Sequence, residues 1–270
     1  MTAIYGHRGA RGLFPENTLE GIKNTLKLPI NGIELDIVVS KDNNLLVSHN
    51  PFAHPEFCLD HLGDEVFKNE LVNNFYLMNY EQIQQFNVGT KQHPDFPHQQ
   101  KLNSKVPLLT EVYDLLNNKT DKNFTLFLEV KCDSSSYYPP INHYADLVYN
   151  FLCTHPFKGK LIVKSFDIDF MNAFYAKSKD KFHLGLLVEN KNHIIENLKS
   201  LNFKPDFYNP EYTLIDEQLV TELHSKDIKI VTWTINHQID YQQMVNLNVD
   251  GVITDYPNEM IKIIRKKWRD

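Results

Sequence analysis

The chain has 270 residues, 42% of them hydrophobic and 23% charged, with a formal net charge of -6 at pH 7. This is the composition of a globular protein long enough for one large α/β barrel or two ordinary domains. The negative charge argues against a nucleic-acid partner, because proteins that bind nucleic acid usually present a basic face. No stretch has the layout of a signal peptide or the length of a transmembrane segment. Three widely spaced cysteines suit a reducing compartment, so we expect a cytoplasmic protein without membrane insertion.

Strands and helices are predicted to alternate along most of the chain. Apolar and β-branched runs place strands near residues 3, 33, 125, 161, 184, 206, 230 and 251. Helical spacing lies between them, as in Thr18–Leu28, which Asn17 or Thr18 would cap, and in His143–Thr154. Eight such units predict a closed TIM (β/α)8 barrel. An open doubly wound sheet is the competing fold, but it usually has a glycine-rich phosphate turn, which this chain lacks.

Residues 51–105 do not follow this alternation. The segment is rich in Asn, Gln, His, Phe and Pro, and its apolar residues are irregularly spaced, with weak helical spacing only in Leu71–Phe86. Such a length is typical of an inserted lobe or of long active-site loops. We therefore predict one barrel domain over residues 1–270, with an inserted segment after the second strand at about 51–105. Its histidines match no metal-ligand spacing and are expected at the surface: His54, His61, His93 and His98.

Two carboxylates stand close together in the second predicted strand. Side chains alternate across a strand, so Glu34 and Asp36 point to the same face, about 7 Å apart. In an apolar setting they repel each other, and a hard divalent cation would relieve that repulsion. An exposed edge strand with an acidic face explains this stretch equally well.

In a TIM barrel the functional side chains lie at the C-terminal ends of the strands. The polar residues at those predicted ends are His7, Arg8, Glu34, Asp36, His49, Glu129, Lys131, Lys164, Ser165, Trp233, Thr234, Asn236, Thr254 and Asp255. Three carboxylates can hold a divalent ion, the basic residues can bind an anion, and histidines move protons near neutral pH. The set indicates metal-assisted cleavage of a phosphoryl ester. The alternatives are a buried salt-bridge network for the carboxylates and a helix cap for Asp255.

The order and spacing of these motifs resemble the glycerophosphodiester phosphodiesterase family. The matching segments are 6–10 (GHRGA), 15–18 (PENT), 34–36 (ELD), His49, 129–131 (EVK), 165–167 (SFD), 233–236 (WTIN) and 250–257 (DGVITDYP). Together they cover nearly the whole chain. The resemblance implies a TIM barrel and hydrolysis of small-molecule glycerophosphodiesters to glycerol 3-phosphate and an alcohol. It also implies one divalent cation, Mg²⁺ or Ca²⁺, with Mn²⁺ as a further candidate.

The resemblance implies a role for each matching residue. By motif position the metal ligands are Glu34, Asp36 and Glu129, the acid–base pair is His7 and His49, and the substrate contacts are Arg8, Lys131 and Trp233. One position departs from the family, which usually has an aspartate where this chain has Asn50. Two other functions stay open: a lysophospholipase D-like phosphodiesterase acting on lysolipids, and a non-catalytic barrel that binds phosphodiesters.

Overall fold

The computed structural model describes residues 2–69, 71–133 and 135–267. The strands in these ranges are β1 Ala3–Gly6, β2 Gly32–Val39, β3 Leu45–Val47, β4 Thr125–Val130, β5 Lys160–Ser165, β6 His183–Val188, β7 Phe207–Pro210, β8 Lys229–Thr232 and β9 Gly251–Thr254. All but β3 are parallel to their neighbours, and β9 pairs with β1, which pairs with β2, so the sheet closes. Within the described ranges this is an eight-stranded parallel barrel. The predicted TIM barrel is confirmed, and β3 is an additional antiparallel strand on β2.

Helices lie between successive barrel strands. They are α1 Leu19–Thr25, α2 Tyr80–Ile83, α3 Leu109–Lys119, α4 Ile141–Thr154, α5 Ile168–Ser178, α6 Ile194–Lys199, α7 Glu217–Ser225, α8 Gln238–Asn246 and α9 Pro257–Lys267. Of the two predicted caps for α1, Thr18 is the one used, because its Oγ1 accepts a hydrogen bond from the Gly21 N–H at 3.0 Å. In the described part of the chain, no helix combines the length and the apolar character needed to cross a membrane.

The apolar residues of the barrel form two layers that follow strand alternation. On β2, the side chains of Ile33, Leu35, Ile37 and Val39 belong to the large cluster between the strands and the helices. The barrel interior has its own cluster around Phe127, whose ring meets Tyr5 at 4.9 Å and Phe207 at 5.4 Å between centroids. This aromatic layer fills the barrel below the C-terminal strand ends and forms the floor of the site described next.

Residues 51–105 contain little regular structure. The stretch Leu71–Phe86, where the sequence shows weak helical spacing, contains a 3₁₀ turn over Phe75–Leu77 and the short helix α2. The side chain of Asn74 caps the first by accepting from the Tyr76 N–H, and the second begins after Asn79, whose backbone N–H donates to Gln82 Oε1. The segment's apolar side chains, including Cys58, Val66 and Ile83, pack against Val38 of β2 and Leu46 of β3.

The expected surface position of the histidines in this segment is wrong for His93. Its side chain is buried, with its ring stacked on Phe57 at 4.7 Å and tilted against Phe96 at 4.8 Å between centroids. His54 is half-buried and stacks on the other side of Phe57 at 4.6 Å. The contacts between these rings help to hold the segment together. The spacing of the histidines along the sequence, which was compared with that of metal ligands, does not indicate this packing role.

Candidate active site

The loop after β1 is held between the ends of β9 and β2. The backbone N–H of His7 donates to the Thr254 carbonyl at 2.8 Å, and that of Gly9 donates to the Glu34 carbonyl at 3.1 Å. The turn is tight enough to need glycine at position 6, where a Cβ would lie 1.7 Å from the Gly9 carbonyl oxygen. The loop therefore fixes its side chains directly above the strand ends.

Three buried carboxylates meet at the barrel mouth. Glu34 and Asp36 lie on β2, and pairing in register puts Asp36 level with Glu129 of β4. One oxygen of each lies within 4.8 Å of the others, a spacing that one cation could bridge. Oε1 of Glu34 and Oε1 of Glu129 are buried, and each lies against a lysine ammonium, that of Lys164 and that of Lys131 respectively. The acidic edge strand is excluded, because β2 is buried and paired with β1 and β4.

Two basic side chains contact the same carboxylates from the cavity side. Nζ of Lys131 lies 3.3 Å from Asp36 Oδ1 and forms a close ion pair with Glu129. Arg8 reaches Asp36 Oδ2 with Nε at 3.5 Å and Glu16 Oε1 with Nη1 at 2.9 Å. Burial alone would raise the pKa of Asp36, but Lys131 and Arg8 hold that pKa well below its usual range. The salt-bridge network named as the alternative is therefore present in the structure.

A third basic side chain lies on β5. Nζ of Lys164 is 3.3 Å from Glu34 Oε1 and 3.9 Å from Glu129 Oε2. Burial raises the pKa of Glu34 to about 7; Lys164 opposes this rise, and the neighbouring Asp36 and Glu129 carboxylates add to it. The sequence placed Lys164 at a strand end, but no motif gave it a role.

His7 is oriented by Asp255, which follows β9. Nδ1 of His7 donates to Asp255 Oδ1 at 2.6 Å, and Arg11 Nε donates to the same oxygen at 2.7 Å. Asn236 Nδ2 donates to Asp255 Oδ2 at 2.7 Å, so both oxygens are engaged at the barrel mouth. Nε2 of His7 then faces the carboxylates, 3.9 Å from Glu34 Oε2. Burial lowers the pKa of His7 to about 4, although Asp255 acts to raise it.

His49 reaches the site from the end of β3. Its Nδ1 donates to Oδ1 of Asn50, the adjacent residue, at 3.2 Å. Burial lowers the pKa of His49, and the nearby Arg8 guanidinium lowers it further. The residue next to His49 thus contacts the histidine through a neutral amide.

One cavity of about 280 Å³ collects these groups. Seven of the eight predicted site residues line it, namely His7, Arg8, Glu34, His49, Glu129, Lys131 and Trp233. Asp36 lies against Lys131 and Arg8, just behind this lining. Trp233 follows β8, meets Phe166 edge-to-face at 5.5 Å between centroids, and donates its Nε1–H to the Asn209 carbonyl at 2.9 Å. Leu187 also lines the cavity, which therefore has an apolar wall beside its charged one.

Sequence reasoning gave Asn17 only a possible capping role, and the structure gives it another. Nδ2 of Asn17 donates to Asp36 Oδ2 at 2.9 Å, and the backbone N–H of Asp36 donates back to Asn17 Oδ1 at 3.3 Å. Asn17 has φ 55°, in the left-handed region that asparagine tolerates better than most residues. The Pro-Glu-Asn-Thr segment was the available signal, since its Glu16 also pairs with Arg8.

Comparison with known proteins gives a consistent match. The model of the glycerophosphoryl diester phosphodiesterase family matches residues 7–259. A glycerophosphodiester phosphodiesterase of Caldanaerobacter subterraneus is 27% identical over 270 residues, covering 98% of each chain. One from Bacillus altitudinis is 27% identical over 264 residues, covering 97% of this chain and 98% of the relative.

Solved structures agree in fold. A Silicibacter pomeroyi protein bearing this family's name superposes with a TM-score of 0.87 at 25% identity, over 99% of this chain and 94% of that one. An Oleispira antarctica phosphodiesterase, solved with its product sn-glycerol-3-phosphate, superposes with a TM-score of 0.79 over 98% of this chain and 97% of that one. At 20% identity the second comparison supports the fold alone.

Proposed function

The chain belongs to the glycerophosphoryl diester phosphodiesterase family, and we propose that it hydrolyses glycerophosphodiesters to glycerol 3-phosphate and an alcohol with the aid of one divalent cation. The observation that carries this proposal is the meeting of three buried carboxylates, two basic side chains and two histidines at one cavity. Residues 51–105 belong to the same domain in this proposal, since their apolar side chains pack on β2 and β3.

The donor set fits a hard divalent cation. Glu34, Asp36 and Glu129 would hold it, because one oxygen of each lies within 4.8 Å of the others and carboxylate oxygens are the ligands that Mg²⁺, Ca²⁺ and Mn²⁺ prefer. When bound, such an ion neutralises charge on the phosphoryl oxygens and activates the phosphorus toward attack. In this proposal the three carboxylates form the salt-bridge network with Lys131 and Arg8 when no metal is bound.

The phosphate would be bound by Arg8 and Lys131. Both side chains line the cavity and retain some solvent exposure, 11% for Arg8 and 17% for Lys131. Arg8 offers a planar fork that suits two phosphate oxygens, and Lys131 a compact positive charge. Trp233 would pack against the carbon atoms of the substrate on the apolar wall.

His7 and His49 would move the protons. One accepts the proton of the attacking oxygen, whether of water or of the substrate's own 2-hydroxyl group, and the other donates a proton to the departing alkoxide. If the 2-hydroxyl attacks, a cyclic phosphate forms and water then opens it. Asp255 supports the assignment of His7, because a carboxylate bonded to Nδ1 orients Nε2 toward the cavity and stabilises the protonated ring.

The test is release of glycerol 3-phosphate from glycerophosphocholine and glycerophosphoethanolamine. Purified protein would be assayed with Mg²⁺, Ca²⁺, Mn²⁺ or a chelator, beside His7→Ala and a matched control, His224→Ala. His224 pairs with Asp250 at 3.0 Å, away from the cavity residues. We expect turnover that stops with the chelator and with His7→Ala but persists in His224→Ala.

The same assay separates the alternatives. With a lysophospholipid as a third substrate the released headgroup alcohol is measured, since its cleavage gives an acylated glycerol phosphate and not glycerol 3-phosphate. Faster release of the alcohol from the lysophospholipid than from either glycerophosphodiester would favour the lysophospholipase D-like activity. No turnover of any diester with any of the three ions, together with measurable binding, would leave a non-catalytic phosphodiester-binding barrel. Turnover that survives complete removal of divalent ions would refute the metal-dependent mechanism.

A further inference from the structure

We propose that Lys164 is a built-in counter-cation of the carboxylate cluster, which weakens binding of the divalent ion and stabilises the metal-free site. This inference rests on the metal site of the proposed function. Nζ of Lys164 lies 3.3 Å from Glu34 Oε1 and 3.9 Å from Glu129 Oε2, so it touches two of the three carboxylates.

The backbone fixes Lys164 at this point. In the barrel register, Glu129 of β4 is the direct neighbour of Lys164 on β5, and Lys164 is in turn the neighbour of Gly185 on β6. Paired residues of neighbouring strands point to the same face, so Lys164 projects into the barrel. Its ammonium lies 5.9 Å from the centroid of the Phe127 ring, above the aromatic floor.

Lys164 is almost completely buried, although its side chain forms part of the cavity lining. The residue is 1% exposed. A Cβ at Gly185 would lie 3.3 Å from Lys164 Cβ and 2.6 Å from Asn209 Oδ1, so glycine leaves room for the Asn209 amide and for the base of the Lys164 side chain. An ammonium buried to this degree has to be paired, and the carboxylates of Glu34 and Glu129 supply that pairing.

Lys164 differs in this respect from the other two cations of the site. All three line the cavity, but the side chains of Arg8 and Lys131 are 11% and 17% exposed and that of Lys164 only 2%. In this proposal Arg8 and Lys131 turn from the carboxylates to a phosphate, while Lys164 keeps its positive charge beside the cluster. The three ionised carboxylates and the Lys164 ammonium together have two negative charges in excess, which one divalent ion balances. A fixed cation a few ångströms away also repels that ion and lowers its affinity.

The test is calorimetric titration of Mn²⁺ into metal-free protein, comparing the wild type with Lys164→Met. Methionine keeps the length and apolar stem of the side chain and removes the charge. We expect Lys164→Met to bind Mn²⁺ about tenfold more tightly or better, since removing a nearby like charge favours the cation. Without metal its melting temperature should fall, because the carboxylates then repel each other.

The matched control is Lys160→Met. Lys160 lies on the same strand and the same face as Lys164, but at the opposite end, 4.7 Å from the Phe207 ring centroid. Its substitution should leave the Mn²⁺ affinity unchanged. A second variant, Lys164→Arg, keeps the charge and should retain an affinity near that of the wild type if it folds.

The outcomes distinguish failure of the Lys164 inference from failure of the proposed metal site on which it rests. Wild-type binding with an unchanged or weaker affinity in Lys164→Met overturns the role of Lys164 alone. Absence of binding in both proteins overturns the metal site as well, whereas binding only by Lys164→Met supports the inference. If Lys164→Met does not fold without metal, recovery of its folding at low Mn²⁺ supports the proposal, and failure at every Mn²⁺ concentration contradicts it.

Discussion

Oδ1 of Asp255 lies 2.6 Å from Nδ1 of His7, across 248 positions of sequence. This carboxylate sets the tautomer of the imidazole, because an ionised oxygen at that distance accepts the Nδ1 proton and leaves Nε2 as the free nitrogen. Arg11 bonds to the same oxygen and holds the pKa of Asp255 low, together with His7 and against the effect of burial. His7 is thus a histidine backed by a permanent negative charge.

Replacing Asp255 by asparagine should lower kcat by about 10²–10⁴-fold, because the amide removes the charge and can present its N–H₂ to Nδ1, which favours the wrong tautomer. KM should change little, since Asp255 does not line the cavity. The measurement is steady-state kinetics on a glycerophosphodiester, with circular dichroism to confirm folding.

Asp250→Asn is the matched control for this substitution. Asp250 also pairs with a histidine, His224, at 3.0 Å, but that pair is not among the residues of the cavity. We expect kcat near that of the wild type. Equal losses in the two variants would mean that Asp255 acts on stability and not on His7.

Substituting Asn50 by aspartate should move one limb of the pH–rate profile to higher pH. Burial and the Arg8 charge lower the pKa of His49, and the neutral Asn50 does not offset them. A carboxylate beside Nδ1 would favour the protonated ring and raise that pKa by about one unit or more. The limb that reports His49 therefore shifts upward whether the ring acts as acid or as base.

The limb that reports His7 serves as the internal control for Asn50→Asp, since position 50 bonds to His49 and not to His7. The profile of log kcat/KM is recorded between pH 3 and 9, so that it includes the pKa of about 4 of His7. A shift of either limb to lower pH, or no shift at all, would contradict a role for His49 in proton transfer.

The barrel was predictable because its signal is periodic. The eight strand positions inferred from apolar runs are the positions of the eight parallel strands of the closed sheet. Residues 51–105 were not predictable in detail, because stacked rings such as Phe57 and His93 hold them and follow no period. Their inserted character could be inferred only from the loss of alternation.

The carboxylate cluster of the site was predictable, because its acidic residues occur in motifs at the ends of predicted strands. Glu34, Asp36 and Glu129 meet as the strand ends imply. The contacts of Asp255 and Lys164 could not be read from the sequence, since each depends on a partner far away in the chain. The position of Lys164 beside Glu129 follows from the strand register once the sheet order is known, because β5 pairs with β4.

Replacing Asn17 by alanine should weaken divalent-ion binding by about 10–100-fold, the usual cost of losing a group that orients a metal ligand. Asn17 holds Asp36 through two hydrogen bonds, at 2.9 and 3.3 Å. Alanine cannot replace them and also tolerates the φ of 55° less well, so the free energy of unfolding should fall by about 1–3 kcal/mol.

Asn43→Ala separates backbone strain from the loss of ligand orientation. Asn43 has a similar φ of 60° but is an exposed turn residue remote from the cavity. It should lose some stability and keep the wild-type affinity for Mn²⁺ in the same titration. An equal loss of affinity in both variants would assign the effect to strain and exclude the role of Asn17 in holding Asp36.

Trp233 tests whether the apolar wall of the cavity contacts the substrate. Its ring packs against Phe166 at 5.5 Å and is held by the hydrogen bond from Nε1 to the Asn209 carbonyl. Loss of an aromatic contact costs about 1–2 kcal/mol of binding, so Trp233→Ala should raise KM for glycerophosphodiesters by about 5–30-fold. The value of kcat should change less, because the ring contributes equally to binding of substrate and transition state. Trp233→Phe keeps an aromatic face without the hydrogen bond and should lie between the two proteins, whereas an unchanged KM in Trp233→Ala would mean that the tryptophan only packs at the rim of the barrel.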